Sequence, residues 1–361
     1  MAYVAVKGGR EAISSAAEYL RYLQTRGTSE PLAIEQIQDQ LHLAVDRVMG
    51  EGALYAPELA ALALRQSAGD TLEAAFMVRA YRTTQPRTGY SLPADTGRMR
   101  VIRRISAAFK DIPGGQILGP TPDYTLRLLD FALIGETAAE RKRVMARLIE
   151  QLPVDDPVPD TLPKVIDILR RENLLVDRRR SEREDAPDDI TRRSISLPAS
   201  RSAALQAMSM GETGGLLAFA YSNMRGYGNV HPTVGELRVG YLPIEIENRR
   251  SNSIETIGSI KVTEAEVICS LEQGEDGPQF TLGYGLCFGH NETKAISMAI
   301  LDRAMQASEA QSASEDQEFV LMHIDGVEAM GFCNHFKLPH YVTFQSALDR
   351  LRKSREKHER S

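Results

Sequence analysis

The spacing of apolar residues changes once along this chain of 361 residues, and that change limits the possible folds more than any other feature. From residue 32 to residue 84 apolar residues recur at the intervals of amphipathic helices, whereas after Arg201 they alternate with polar residues as in β-strands. Helices followed by a run of strands are typical of an α+β fold. We therefore predict a helical N-terminal domain, followed by a mixed, largely antiparallel sheet domain with flanking helices.

Residues 136–200 separate these two parts and differ from both in composition. Two charged amphipathic segments, AAERKRVMARLIEQL and TLPKVIDILRRENLLVDRRR, flank the proline- and aspartate-rich stretch PVDDPVPD, which interrupts regular structure. The sequence therefore predicts three segments. These are a mainly helical domain over 1–135, a variable charged helical connector over 136–200, and an α/β domain over 201–361 that carries glycine-rich loops and a histidine pair.

Local signals predict individual elements. A helix over 56–68 opens with a proline in its first turn, and the next helix has Asp70 as its N-cap. Thr121 and Pro122 form a similar start signal, so we expect a helix there that carries Asp123. The expected strands are YVAV at residues 3–6 and, in the last segment, GLLAFAYS, GELRVGYLPIEI, SIKVTEAEVICSLE, QFTLGYGLCFG and EFVLMHI.

Charge, hydropathy and cysteine usage exclude several classes of protein. The net charge of −6 argues against a general nucleic-acid-binding surface. No apolar run approaches the ~20 residues that a membrane-spanning helix needs, and the N-terminal residues lack the pattern of a signal peptide. The three cysteines are well separated and odd in number, which argues against a disulfide framework and favours a reducing cytoplasm.

The stretch GFCNHFKLPHY places two histidines five residues apart, with a proline directly before the second. Pro339 disfavours helical geometry at the residue before it, so we expect the preceding helix to end before His340 and to leave His335 on its last turn. Such a break lets two imidazoles converge on one metal ion such as zinc, but Cys333, a carboxylate or a partner subunit must complete the site. The alternative is one histidine that caps helix carbonyls and another that packs in a loop.

Residues 98–133 combine basic residues with two glycine-proline turns, PGG and GPTP. A solvated basic helix face is the usual meaning of such arginines, and their closeness to two glycine turns makes a pocket for a polyanion the competing interpretation. The candidates for polyanion contact in this segment are Arg103, Arg104 and Lys110. Asp111 and Asp123 border the turns, where each could act in acid–base chemistry or only as a cap.

Other glycine-containing segments offer further groups for an anion. One turn places Lys7 beside a glycine pair at a helix start, and another places Lys294 in the first turn of a helix capped by Asn291. The loop RGYGNVHPTVGE adds Arg225, His231 and Glu236. None of these segments matches GxGxxG or the Walker A pattern, so tight turns without a ligand are the alternative.

Nine blocks of sequence follow one another along the chain: YVAVKGG, LAVDRVM, ALALRQSAGD, RAYRTT, RRISAAFKDIPGGQILGPTPDYTLRLLDF, AYSNMRGYGNVHP, GELRVGY, GYGLCFG and GFCNHFKLPHY. They closely resemble the PhnI family, whose members are core subunits of bacterial carbon–phosphorus lyase. The resemblance covers most of the chain and thins from residue 136 to about 187. It implies a cytoplasmic protein of phosphonate catabolism, used when phosphate is scarce.

The resemblance also implies an activity and partners. On its own, such a subunit is expected to split purine nucleoside triphosphates into base and ribose 5-triphosphate. With PhnG, PhnH and the ATPase-like PhnL, it is expected to exchange the adenine of ATP for a phosphonate at ribose C1. The product, ribose 1-phosphonate 5-triphosphate, would pass to the radical S-adenosylmethionine subunit PhnJ. PhnK is a further expected partner, and the subunit is expected twice in a symmetric assembly.

The family's HFKLPH histidines are similar to His335 and His340 here, which implies that this pair binds zinc near the PhnJ interface. Glycosyl transfer places positive charge on the ribose ring, so it needs a nearby carboxylate and an acid for the leaving base. The candidates for these roles are Asp111, Asp123, His231 and Glu236. The candidates for contact with triphosphate and phosphonate are Lys7, Arg103, Arg104, Lys110, Arg225 and Lys294. A scaffold that contributes part of a zinc site is the alternative, because no self-contained catalytic motif is present.

Overall fold

The computed structural model describes residues 9–151, 162–176, 187–227, 232–248, 251–274 and 277–359. Within these residues the chain has an α+β fold, as predicted, with helices packed on a four-stranded antiparallel sheet. The predicted strand at residues 3–6 lies outside the described residues. In the described part of the chain, no helix is both long enough and apolar enough to cross a lipid bilayer.

Five helices form the N-terminal part: α1 (Gly9–Thr25), α2 (Ile34–Gln40), α3 (His42–Gly52), α4 (Pro57–Gln66) and α5 (Thr71–Thr84). The predicted start signals are confirmed, because Pro57 lies in the first turn of α4 and the Asp70 carboxylate accepts backbone N–H groups at the start of α5. Helices α2 to α5 enclose an apolar core that includes Ile37, Val48, Met49, Leu64 and Val78.

Four helices follow before the long strands: α6 (Ala138–Gln151), α7 (Asp167–Arg171), α8 (Arg201–Met210) and α9 (Thr213–Ser222). The helix α6 confirms the helix that was predicted from the first charged amphipathic segment. The prediction of a strand at GLLAFAYS is wrong, because these residues belong to α9. The Glu212 side chain accepts the N–H of Gly215 and caps this helix, and a short apolar run fits a buried helix as well as a strand.

The sheet consists of β1 (Arg100–Ile105), β2 (Thr233–Asn248), β3 (Ser253–Gly274) and β4 (Gly277–Phe288), in that spatial order. The strands β2, β3 and β4 confirm the predictions from GELRVGYLPIEI, SIKVTEAEVICSLE and QFTLGYGLCFG. The strand β1 was not predicted, and it pairs with β2 although more than a hundred residues separate them. The division of the chain at residues 135 and 200 stays a prediction.

One face of the sheet lies directly against the helix α10 (Glu292–Ala304). Gly283 and Gly285 permit this contact, since a Cβ atom on either residue would lie within 2.0 Å of the carbonyl oxygen of Ala299 or Ala295. Around this contact the core of the sheet layer includes Met208, Leu237, Val267, Met298 and Leu301. The two glycines therefore set how closely α10 approaches β4.

The opposite face of the sheet carries buried charge, because alternate residues of a strand point to opposite sides. Arg238 on β2 donates to Glu264 on β3, and Lys164 Nζ lies 2.8 Å from Glu264 Oε2. Burial acts to raise the pKa of Glu264, but the charges of Lys164 and Arg238 lower it to about 2. Residues 162–176 thus cover this face with buried apolar side chains and with one lysine that is paired to the sheet's carboxylates.

Three helices complete the described chain: α11 (Gln317–His323), α12 (Gly326–His335) and α13 (Tyr341–Glu359). The predicted strand EFVLMHI is wrong, because its residues form most of α11, which the Asp316 carboxylate caps at the N–H of Phe319. The predicted helix after Thr121 is also wrong. Residues 121–130 are not helical, and Asp123 is held by an ion pair to Arg103 on β1 instead.

Candidate functional site

A glycine turn at the end of β4 positions a cluster of polar side chains at the end of the sheet. Gly289 has φ +77°, and a Cβ atom there would lie 2.3 Å from the Cβ of Asp46 on α3. The Gly289 N–H donates to the carbonyl of Lys261, and Thr263 Oγ1 donates to the carbonyl of Gly289. The turn is therefore fixed between β3 and α3, and only glycine fits both the backbone conformation and the space.

His290 follows this turn, and its backbone and ring are both held. Its N–H donates to Asp46 Oδ2 at 2.9 Å, and Asp46 also binds Lys261 Nζ at 2.8 Å. The ring atom Nε2 lies 2.7 Å from Glu292 Oε1. The imidazole is thus oriented by a carboxylate on one nitrogen, which leaves Nδ1 to meet another group.

Glu292 in turn joins this histidine to the buried Arg103. Arg103 Nε lies 2.7 Å from Glu292 Oε1, and Arg103 Nη2 lies 2.5 Å from Asp123 Oδ2. Burial acts to raise the pKa of Glu292, but the hydrogen bond from His290 and the charge of Arg103 bring it below its ordinary value. We call His290, Glu292, Arg103 and Asp123 the His290 cluster.

The His290 cluster contains the groups that glycosyl transfer needs. An imidazole beside an ionised carboxylate can hold a proton and deliver it to a leaving group, and the Asp123 side chain, 39% exposed, offers a second carboxylate toward solvent. Arg103 is fully buried and also donates to the carbonyl of Leu118 at 2.5 Å. Arg103 therefore positions the two carboxylates and is not open to a polyanion by itself.

Of the predicted residues, Arg104 and Glu236 are brought together in the interior, where they bind each other. Arg104 Nε lies 2.6 Å from Glu236 Oε1, and its other nitrogens donate to the carbonyls of Pro113, Gly115 and Pro163. The remaining Glu236 oxygen accepts the N–H of Val165. This fully hydrogen-bonded pair fixes two loops on the sheet.

The remaining predicted cations and carboxylate are dispersed. Lys110 and Asp111 are exposed on the loop after β1, and Arg225 is exposed in a π-helical turn where it donates to the Tyr221 hydroxyl. Lys294 is buried on α10, and within the described residues its Nζ has no hydrogen-bond partner. Lys7 and His231 lie outside the described residues.

The two histidines of the HFKLPH stretch face each other, as predicted. Helix α12 ends at His335, and His340 lies beyond Pro339 with the two Nε2 atoms 3.0 Å apart. His340 Nδ1 lies 2.5 Å from the carbonyl oxygen of Leu338 and must donate to it, which leaves a lone pair on Nε2 of the neutral ring. The pair can therefore present two imidazole nitrogens to one ion, or form an imidazole–imidazole hydrogen bond.

Within the described residues, no group of three or more His, Cys, Asp or Glu side chains could hold a metal ion. Cys333, which the sequence suggested as a third ligand, is exposed on α12 and does not complete such a group. Two imidazoles fit part of a zinc coordination shell, which usually has four ligands. Any further ligands must come from elsewhere.

The sequence alone did not predict the contacts of His290. The segment GYGLCFGHNETK drew attention to Asn291 and Lys294, and Asn291 does cap α10. The available signal was a histidine and a glutamate two residues apart at the end of a strand that leads into a helix. The importance of this histidine–glutamate pair depends on its contact with Arg103, which lies 189 residues from Glu292 in sequence.

Comparison with known proteins gives a consistent result over the whole length. A family model described as "Bacterial phosphonate metabolism protein (PhnI)" matches residues 2–358. A putative C-P lyase subunit protein HtxH from Stutzerimonas stutzeri is 53% identical, over 99% of this chain and 97% of the relative.

Two further relatives are named alpha-D-ribose 1-methylphosphonate 5-triphosphate synthase subunit PhnI. The protein from Rhizobium meliloti is 46% identical over 99% of this chain and 96% of its own length. The protein from Escherichia coli is 47% identical over 97% of this chain and 98% of its own length.

Proposed function

This chain belongs to the PhnI family of bacterial phosphonate metabolism proteins, and from that premise we propose that it is a subunit of a carbon–phosphorus lyase complex that forms ribose 1-phosphonate 5-triphosphate. With its partners it transfers a phosphonate to ribose C1 of ATP. An oxygen of the phosphonate forms the new bond to C1, the bond from C1 to adenine N9 breaks, and its electron pair leaves with adenine. On its own the chain uses water in place of the phosphonate and acts as a purine nucleosidase.

The observation that carries this proposal is the contact of 2.7 Å between His290 Nε2 and Glu292 Oε1, in a cluster that also holds Asp123 through Arg103. Glu292 holds the imidazole ring of His290 through this contact. His290 is then the acid that protonates the departing base, and Asp123 stabilises the positive charge that develops on the ribose ring. Glu292 and Arg103 position these two groups.

Release of free base from ATP or GTP by the purified chain tests this activity. We expect His290→Gln to lower the rate about 100-fold, because a positioned general acid contributes at least about that factor. His323→Gln is the matched control, since His323 packs on Phe319 of its own helix and should leave the rate unchanged. A wild-type rate in His290→Gln would remove His290 from the mechanism.

The histidine pair supports a second part of the proposal, a zinc site completed by another chain. Two nitrogens bound tetrahedrally to zinc at ~2.0–2.1 Å lie about 3.3 Å apart, close to the 3.0 Å between His335 Nε2 and His340 Nε2. When bound, zinc supplies a Lewis acid that orients phosphonate oxygens. The hydrogen bond from His340 Nδ1 to Leu338 fixes the ring and its tautomer.

Elemental analysis of the assembled complex tests the zinc site. We expect His335→Ala and His340→Ala each to lose zinc, because either change removes one of two ligands from this chain. Cys333→Ser is the control and should retain zinc, since Cys333 is exposed and belongs to no such ligand group. Full zinc content in both histidine variants would refute the ligand assignment.

We further propose a cytoplasmic complex, used when phosphate is scarce, in which this chain occurs twice. Its expected partners are PhnG, PhnH, PhnJ, PhnK and PhnL, with ATP and the phosphonate as small-molecule substrates. The chain exposes a run of large apolar side chains from Tyr124 to Ile134, which is typical of a surface that contacts other subunits.

A non-catalytic scaffold is the second candidate, and the incomplete zinc ligand set within the described residues favours it. The two candidates differ in the base-release assay. If the purified chain releases no base, and the complex carrying His290→Gln forms product at the wild-type rate, the scaffold is correct.

A further inference from the structure

A cavity of about 470 Å³ lies beside the outer edge of β4, between α3, the end of α5 and α8. Its size falls in the range of ~300–1,000 Å³ that is usual for small-molecule sites. The residues that line it and that matter here are Gly50, Arg82, Leu205, Ser209, Leu286 and Phe288. None of these residues belongs to the His290 cluster or to the histidine pair.

One wall of the cavity is an unpaired strand edge. The Gly289 N–H points to Lys261 on β3, whereas the Tyr284 N–H points away from the sheet and donates to Asp302. Backbone groups alternate in direction along a strand, so the N–H and C=O of Leu286 also point outward. The strand β3 pairs with one edge of β4, and within the described residues no strand pairs with the other edge between Tyr284 and Phe288. Leu286 therefore offers an adjacent donor and acceptor to the cavity.

The other walls combine apolar surface with the guanidinium of Arg82. Leu205, Phe288 and Met298 are apolar, and Arg82 lies at the cavity with one long hydrogen bond, 3.3 Å to the carbonyl of Ala53. Within the described residues Arg82 forms no ion pair, whereas Arg79 binds Asp325 and Arg87 binds Asp189. Burial and the charges of Arg79 and Arg87 lower the pKa of Arg82, so an anion here would be stabilised.

We propose that this cavity binds the purine ring of a nucleotide, with the ring edge on the backbone of Leu286 and the anionic substituent toward Arg82. A purine presents a flat apolar face and neighbouring donor and acceptor atoms, which match the walls and the strand edge. This inference rests on the proposed function for the choice of a nucleotide over other planar anions.

About one turn of α3 separates the cavity from the residue that holds the backbone of His290. Gly50 lines the cavity, and Asp46, four residues earlier on α3, accepts the N–H of His290. Four residues of an α-helix span about 6 Å along its axis. A base bound in the cavity would therefore leave its ribose close to the imidazole that protonates the base.

Calorimetric titration of the full chain with ATP, and separately with adenine, tests this site. Ser209→Phe fills the cavity from α8, and we expect it to weaken binding of both ligands at least tenfold. Ser346→Phe is the control, because Ser346 is exposed on α13 away from the cavity, and it should bind as the wild type does. Arg82→Ala should weaken ATP binding at least tenfold and leave adenine binding unchanged. Circular dichroism melting of each variant separates a folding defect from a binding defect.

Wild-type affinity for ATP in a folded Ser209→Phe variant would overturn the proposal, as would no binding of either ligand by the wild type. The same experiments test the proposed function independently of the cavity assignment. If Ser209→Phe abolishes ATP binding but the wild type releases no base, the cavity assignment holds and the nucleosidase activity does not. If base release proceeds in Ser209→Phe with an unchanged KM, the activity stands and the base binds elsewhere.

Discussion

Two buried cations, Arg104 and Lys294, differ in how the surrounding residues compensate their charge. Arg104 donates to a carboxylate and three carbonyls, so its burial leaves no donor unsatisfied. Lys294 is also buried, but within the described residues its Nζ meets no acceptor, and burial lowers its pKa. A buried arginine whose nitrogens all donate hydrogen bonds stabilises the loops around it. A buried lysine without an acceptor instead lowers the free energy of unfolding.

We expect Lys294→Met to raise the free energy of unfolding near neutral pH by about 1–3 kcal/mol, the usual cost of burying an unpaired polar group. Because the folded pKa lies below the unfolded value of ~10.4, the unfolded chain binds more protons between the two values, so wild-type stability rises with pH there. The gain should therefore shrink as pH approaches 10. Urea unfolding at several pH values measures this gain in the free energy of unfolding, and Lys142→Met, at an exposed lysine, is the control. A gain that stays constant with pH would show that burial does not lower the pKa of Lys294.

At the scale of elements, sequence signals that act within a few residues predicted the structure well. Pro57, Asp70 and Asn291 start the helices that they were expected to start, and Pro339 separates α12 from His340. The errors at α9 and α11 concern short apolar runs, whose burial on a helix resembles burial on a strand. Their caps, Glu212 and Asp316, are the signals that would have distinguished the two.

Contacts between distant parts of the chain were not predictable from one sequence. The strand β1 pairs with β2 across more than a hundred residues, and no local pattern records that pairing. The same limit applied to the candidate site. Arg103 and Asp123 were expected to bind substrate or act as an acid or base, but Arg103 is buried between Asp123 and Glu292. The carboxylate–histidine arrangement becomes visible only when Arg103 on β1 meets Glu292 at the start of α10.

The contact between α10 and β4 gives a prediction for a single methyl group. In Gly285→Ala the new Cβ would lie 2.0 Å from the carbonyl oxygen of Ala295, so α10 must move away from the sheet. We expect a loss of about 1–3 kcal/mol or more in the free energy of unfolding, as in other overpacked cores. Thermal and urea unfolding of the purified chain measures this loss.

Gly331→Ala is the control for this substitution, because Gly331 lies within α12 and a Cβ there has no neighbour within 4 Å. Replacing a helical glycine by alanine usually stabilises by roughly 0.5–1 kcal/mol. Changes of opposite sign in the free energy of unfolding of the two variants would show that close packing, and not glycine content, limits stability. Equal effects would contradict the close contact.

For the whole molecule, the described chain leaves several elements without a packing partner. The helices α1, α6 and α13 have no buried residues. The segment from Tyr124 to Ile134 exposes Leu126 at 85%, Leu129 at 81% and Ile134 at 79%. A monomeric protein rarely exposes so much contiguous apolar surface, so these elements fit a subunit whose folding is completed by assembly.

This surface yields the prediction that connects the fold to the proposed complex. We expect Leu129→Glu with Phe131→Glu to reduce copurification of the proposed partners PhnG, PhnH and PhnJ at least severalfold on coexpression, because both side chains would carry charge into the proposed apolar interface. The melting temperature of the isolated chain should stay within about 2 °C, since exposed substitutions usually change stability by less than ~0.5 kcal/mol. Glu58→Lys, an exposed charge reversal on α4, is the control. Undiminished copurification by the double variant would place the subunit contacts on another face of the molecule.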